Sequence, residues 1–252
     1  MVRMLFLAAV AIVISVPLAV VTLLIAAVRS TSPLIDRVIR LWARTLVRAA
    51  GVELRTENLD RIDPGKRYIL VSNHYSWLDV PCILTAVPQP IRFMAKVSLF
   101  RIPFFGWALS RAGFIPIDRQ NRRTAVKSFD LAADRIRKGN TIVIFAEEGR
   151  SRHREMKPFQ RGAFLLAIKS QKTVVPLAID STFDVWPVDS FWHIKPGPVT
   201  LRVGTPIETE TLTVRDKERL LNETRAQVHS MLFPAPPPPG TDRSPAASAG
   251  RS

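Results

Sequence analysis

"YILVSNHYSWLDV" (68–80) decides how the chain reads. An aliphatic run at 68–71 breaks into Ser72-Asn73-His74, and Asp79 follows five residues after the histidine. A short apolar run closed by polar turn formers is a buried strand, and the apolar stretch after Asp79 begins a helix. The His–Asp spacing has a structural and a chemical reading. In the first, Ser76 and Asp79 form a capping box in which the carboxylate satisfies orphan backbone N–H groups. In the second, His74 stands at the carboxyl end of a strand, where sites collect in open α/β sheets. The first helical turn swings Asp79 back to its ring, fixing the tautomer and leaving the other nitrogen as a general base. Ser72 and Ser76 are the rival nucleophiles, and neither lies in a G-x-S-x-G elbow.

Outward from this stretch, strand-like and helix-like segments alternate. "IRFMA" (91–95), "GFIPI" (113–117), "TIVIF" (141–145), "TVVPLAI" (173–179) and "VTLRVG" (199–204) read as further strands. Between them, 123–138 places Val126, Phe129, Ala133 and Ile136 on one helical face and stops at Gly139, and 213–232 forms a last amphipathic helix. The alternation predicts an α/β fold: a mixed, largely parallel sheet covered by helices. With 252 residues the chain is long enough for one such domain plus appendages.

The appendages lie at the two ends. Residues 4–28 carry no charge and, as a helix, reach roughly 37 Å, enough to cross a bilayer core of about 30 Å. This predicts a membrane anchor over 1–30. Pro17 can kink it into a monotopic hairpin, and a signal peptide is the competing reading. Residues 31–50 read as a basic amphipathic helix, with Leu34, Val38, Leu41, Trp42 and Leu46 in a stripe. It suits either an anionic lipid interface or the domain core. Arg29, Arg37, Arg40, Arg44 and Arg48 outnumber Arg3, so if the segment spans, the main domain, 51–233, is expected on the cytoplasmic side of an inner membrane. The Pro-rich stretch 234–252 has little to bury and is expected to be disordered.

Composition narrows the partners. Lys and Arg total 36 against 21 Asp and Glu, a net charge of +15, so an anionic partner is implied. The basic residues alternate with Leu, Phe, Trp and Pro, which favours a phospholipid surface over nucleic acid. A single cysteine, Cys82, excludes an internal disulfide and a multi-cysteine metal site and reads as a small core residue. The four histidines lack H-E-x-x-H spacing, so no metal site is expected.

Three further stretches follow "NHYSWLD" in order: "AGFIPIDR" (112–119), "FAEEGRSR" (145–152) and "VVPLAI" (174–179). Together, and with "AKVSLFRIPFFGWALSRAG" (95–113) and "KPFQRGAF" (157–164), they resemble the four blocks of the glycerolipid acyltransferase family over about residues 68–180. The resemblance implies the glycerol-phosphate acyltransferase fold, with His74 as catalytic base and Asp79 as its orienting partner. It also implies substrate-binding parts for Gly113, Arg119, Glu147, Arg150, Ser151 and Pro176, with Lys96 a further candidate. In the third block Ala146, Glu148 and Gly149 replace the usual Pro, Gly and Thr; a shift of one residue would set Glu148-Gly149 on the family's Glu-Gly pair.

The activity so implied transfers an acyl group from acyl-CoA or acyl carrier protein to the 2-hydroxyl of 1-acyl-sn-glycerol-3-phosphate. No cofactor is expected, and the partners are a lysophospholipid acceptor, the thioester donor and membrane phospholipid. Three alternatives remain on the sequence: another lysolipid acceptor such as a lyso-ornithine lipid, a non-catalytic lipid binder, and a lipid hydrolase using Ser76.

Overall fold

A computed structural model describes residues 2–118, 122–147, 149–190 and 192–234, and of 122–126 the backbone alone. Arg119, Glu148 and the stretch 235–252 lie outside the described residues. In chain order the elements are α1 (Val2–Val28), α2 (Pro33–Ala49), β1 (Val52–Glu57), β2 (Ile69–Ser72), α3 (Asp79–Ala86), β3 (Ile91–Lys96), α4 (Phe105–Ala112) and β4 (Ile115–Ile117). Then come α5 (Arg122–Arg137), β5 (Thr141–Phe145), α6 (Gly162–Ser170), β6 (Val174–Asp180), α7 (Thr182–Val185), β7 (Gly197–Val203) and α8 (Lys217–Leu232).

The strands form one sheet in the order β1-β7-β6-β2-β5-β3-β4. Strands β6, β2, β5, β3 and β4 run parallel, and β7 joins β6 antiparallel with β1 alongside it. This is the mixed, largely parallel sheet expected. Period-two alternation splits the core into two layers. Leu70, Val143, Phe145, Val175 and Leu177 face α1–α4, while Ile69, Val71, Ile142, Ile144 and Val174 face α5, α6 and α8. Central strand β2 is buried along its whole length, so the loop that carries His74 leaves from the middle of the sheet.

Strand β1 was not among the predicted strands. It is an edge strand, "VELRTE", whose side chains are at best half-buried, so its charged composition gives no apolar run to read. Helix α1 forms as predicted and continues through Pro17 without dividing. It packs lengthwise on α2 and α4, burying Met4, Leu7, Ala19 and Ala26. The Trp42 indole N–H donates to Ser15 Oγ at 2.9 Å. Its opposite face leaves Leu5, Phe6, Ile12, Val13 and Leu24 exposed, and by length and composition α1 can cross a membrane. Helix α2 has two apolar faces: Ile35, Ala43 and Val47 are buried in the domain, while Leu34 and Leu41 point outward. Cys82 is buried, a small core residue.

Candidate active site

His74 is held from four directions. Its Nδ1–H donates to Asp79 Oδ2 at 2.7 Å. Its ring lies flat against Phe145 at the end of β5, with centroids 3.9 Å apart and planes 12° from parallel. Its backbone N–H donates to Glu147 Oε1 at 3.0 Å, and its carbonyl accepts the Ser151 N–H at 2.9 Å. The next residue back, Asn73, fastens the loop to β6: its amide donates to the Ile179 carbonyl and its Oδ1 accepts the Ile179 N–H, both at 2.9 Å. With Nδ1 committed to a carboxylate, Nε2 is the nitrogen left to take a proton.

One oxygen of Asp79 serves both the imidazole and the backbone. Oδ2 also accepts the Tyr75 and Ser76 N–H groups at 2.7 and 2.9 Å, and the carboxylate is 0 % exposed. The capping box itself is not built. The helix starts at Asp79 after Leu78, and the buried Ser76 hydroxyl donates to the Trp186 carbonyl at 2.8 Å while accepting the Leu78 N–H. Ser72 is likewise fully buried. Neither serine presents a hydroxyl to the His74 ring, so the hydrolase reading through Ser76 loses its nucleophile.

Glu147, expected at the substrate, is instead wholly enclosed. Its second oxygen accepts the Lys157 N–H at 3.0 Å, so the side chain joins two loops through backbone N–H groups. Burial pushes its pKa up to about 7, although the two N–H bonds and the Lys157 charge pull the other way.

Arg150 precedes Ser151, whose N–H bonds the His74 carbonyl. Its guanidinium covers the Trp77 ring at 3.8 Å from the centroid, and its Nη1 is buried with no hydrogen-bond partner. Burial lowers its pKa and the Asp79 charge opposes this; a guanidinium stays charged at neutral pH regardless. Lys157 Nζ donates to the Arg150 carbonyl at 2.8 Å and fixes the loop. A charged, half-buried donor without a partner is a place for an anion.

Behind the loop that carries His74 lies an apolar cavity of about 340 Å³. Trp77, Leu78 and Trp186 border it, α1 contributes Leu7 and Ala19, and Phe93 lines the sheet side. His74 is not in its wall. Phe93 packs on Phe145 at 5.5 Å and Phe145 on His74, so two rings separate the cavity from the base.

The other expected residues divide by which end of the sheet they occupy. Lys96 ends β3 and Ser151 follows β5, so both lie at the same carboxyl edge as His74. Gly113 and Pro176 do not. Gly113 caps α4 before β4 begins, with φ of 92°, against the Arg92 and Arg135 side chains. Pro176 is buried inside β6 opposite Val71 and packs near Gly204. Both are corrected to backbone and packing roles: glycine for a left-handed turn, proline inside a strand at a position whose own carbonyl bonds Gly204 at 2.8 Å. Asn73, Phe145, Trp77 and Lys157 belong to the site without having been assigned a part in it from sequence.

An oriented imidazole in a loop shared with a half-buried cation, with the Ser72 and Ser76 hydroxyls buried away from it, is an arrangement able to take a proton from a group that a ligand brings. The comparisons with known proteins agree: the model of the Acyltransferase family matches residues 53–180, and the chain belongs to that family. It is 34% identical over 151 residues to a chloroplast 1-acyl-sn-glycerol-3-phosphate acyltransferase of Brassica napus, covering 60% of this chain and 43% of that one. The alpha 1-acyl-sn-glycerol-3-phosphate acyltransferase of Homo sapiens is 30% identical over 216 residues, 85% of this chain and 75% of that one. The chain thus spans under half the length of the Brassica relative and three quarters of the human one. The crystal structure of the 1-acyl-sn-glycerophosphate acyltransferase of Thermotoga maritima shares the fold, with a TM-score of 0.76 at 20% identity over 91% of this chain and 95% of that one.

Proposed function

We propose that this chain is a membrane-bound 1-acyl-sn-glycerol-3-phosphate acyltransferase, forming phosphatidic acid from a thioester donor. His74 Nε2 takes the proton of the acceptor's 2-hydroxyl as that oxygen attacks the thioester carbon of acyl-CoA or acyl carrier protein. The tetrahedral adduct collapses, the C–S bond breaks, and the imidazolium returns its proton to the departing thiolate. Asp79 holds the tautomer and stabilises the imidazolium. Arg150 takes the acceptor's phosphate, which sets the hydroxyl at the base. Arg119 and Lys96 are further candidates for that phosphate, Arg119 on the family resemblance alone. Glu147 and Ser151 act through the loop backbone and do not touch substrate. The route uses no metal or bound cofactor.

The 340 Å³ cavity receives the donor's acyl chain, since its border at Trp77 and Leu78 adjoins the catalytic loop. The exposed apolar face of α1 meets lipid. Because α1 packs along the domain at both of its ends, it lies against the bilayer with that face inserted and does not stand free across it. The basic excess suits the anionic cytoplasmic leaflet of an inner membrane.

The observation that carries this reading is the 2.7 Å His74–Asp79 contact beside a serine whose hydroxyl is already committed. Purified protein in detergent, given labelled acyl-CoA or acyl carrier protein and lysophosphatidic acid, is expected to make a diacyl product. His74→Ala and Asp79→Asn should each lower kcat by roughly 10²–10⁴, whereas Ser76→Ala should not abolish it. Release of free fatty acid from phosphatidic acid, without transfer, is the result that rejects the proposal.

A further inference from the structure

Trp77 occupies a position that the chemistry above leaves unused. It is half exposed, at 50 %, although a tryptophan beside a buried catalytic loop has ample apolar surface to hide in. One face carries the Arg150 guanidinium at 3.8 Å, and the same indole borders the 340 Å³ apolar cavity together with Leu78 and Trp186. The backbone on either side is fixed: the Ser76 N–H is on Asp79 Oδ2, and the Leu78 N–H is on Ser76 Oγ. The ring is therefore presented from a rigid turn and not from a mobile loop.

Arg150 shows why such a platform is needed. Its Nη1 is buried without a partner, and no carboxylate pairs with its guanidinium among the described residues. A carboxylate there would orient the arginine but neutralise it for an anionic ligand. An aromatic face orients a guanidinium while leaving its edge donors and its full charge for the ligand.

We propose that Trp77 is a positioning and selectivity residue that joins the two halves of the site. Its face aims Arg150 at the anionic headgroup, and its edge forms the threshold of the acyl cavity. The headgroup part acts through Arg150 and the chain part through direct contact, so the two separate in experiment. The inference rests on the acyltransferase reading for the chain part, while the headgroup part needs only an anion.

The test is a cycle of Trp77→Ala, Arg150→Ala and the double variant, with Trp77→Phe as the conservative control, all in detergent so that bilayer insertion does not enter. Binding of dodecyl phosphate is measured by calorimetry, and KM and kcat by acyl transfer. Trp77→Ala should weaken dodecyl phosphate binding, and raise the acceptor KM, by roughly 3- to 30-fold, the range of a cation–π contact. Trp77→Phe should recover most of this loss, and Trp77→Ala in an Arg150→Ala background should add little to it. Trp77→Ala should also flatten the preference among donors of different chain length, which Arg150→Ala should leave in place. Additive losses in the cycle, or no rescue by phenylalanine, would overturn the positioning role; an unaltered chain preference would overturn the threshold role. Wild-type protein that binds dodecyl phosphate with the expected cycle but transfers no acyl group upholds the Trp77–Arg150 coupling and rejects the acyltransferase reading instead.

Discussion

Replacing Glu147 with glutamine asks whether a buried carboxylate braces the catalytic loop. The side chain is 0 % exposed and takes the His74 and Lys157 N–H groups, one on each oxygen at 3.0 Å. Glutamine keeps the shape but offers one acceptor and one donor, so one backbone N–H must face an NH₂. An unpaired buried donor costs about 1–3 kcal/mol, which sets the expected loss of stability at low pH. The pH dependence adds a sharper signature. Burial raises the folded pKa from 4.5 to about 7. The folded state therefore binds the proton more tightly than the unfolded state, and its contribution to stability is complete below pH 4.5 and lost as pH rises through 7. At about 1.36 kcal/mol per pH unit, that interval is worth roughly 3 kcal/mol. Glutamine does not titrate, so the variant lacks this decline. Chemical denaturation in detergent from pH 4.5 to 8 should show wild type losing up to about 3 kcal/mol relative to Glu147→Gln, with the gap closing as pH rises. Parallel stability curves across that range would refute the claim that burial outweighs the two N–H bonds and holds this carboxyl's pKa up. If the lost bond is felt at the ring, kcat should fall about 10- to 100-fold at pH 8 with both KM values nearly unchanged, since each 1.36 kcal/mol is tenfold.

Other expectations follow from single contacts. A methyl group at Gly106 would collide with the Phe100 carbonyl, so Gly106→Ala should cost about 1–3 kcal/mol or more by denaturant titration; unchanged stability would show that α4 and the turn before it can separate freely. Ala19→Phe projects a ring from α1 into the cavity. Each methylene it keeps out of that space should cost a long-chain donor about 0.8 kcal/mol, near fourfold in kcat/KM, and an unshifted chain-length profile would place the acyl chain elsewhere. Asn73→Ala removes both bonds to Ile179 and leaves that N–H and carbonyl buried. It should lower stability by about 2–4 kcal/mol on the usual cost of unsatisfied groups, and thermal unfolding identical to wild type would contradict the pinning role.

Which parts of this site were legible in the sequence depends on the distance over which each bond is made. His74 and Asp79 are five residues apart, within one loop and the first turn of α3, so their contact follows from local geometry. The parallel strands were readable because buried strands in such a sheet are nearly continuous apolar runs, and β1 was missed because an edge strand has no such run. Arg150 and Glu147 stand out through the resemblance of their block to the acyltransferase family, yet only the fold separates their parts: Arg150 retains a buried donor without a partner, whereas Glu147 has given both oxygens to backbone N–H groups. The restraints on the base are mostly long-range. Phe145, Glu147 and Ser151 reach His74 from more than 70 residues away, and Asn73 meets Ile179 across 106 residues. No periodicity encodes such pairings, because they exist only once β2, β5 and β6 lie side by side with Ser72 opposite Phe145 and Leu177. That register brings the end of β5 under the imidazole and the end of β6 under Asn73. One-residue slippage of either strand would turn Phe145 or Ile179 to the other face of the sheet. The His74–Asp79 pairing is thus a local property of "NHYSWLD", while its fixed placement is a property of strand register, and on the proposed function a substitution that disturbs β5 or β6 should weaken catalysis without touching any residue that meets the substrate.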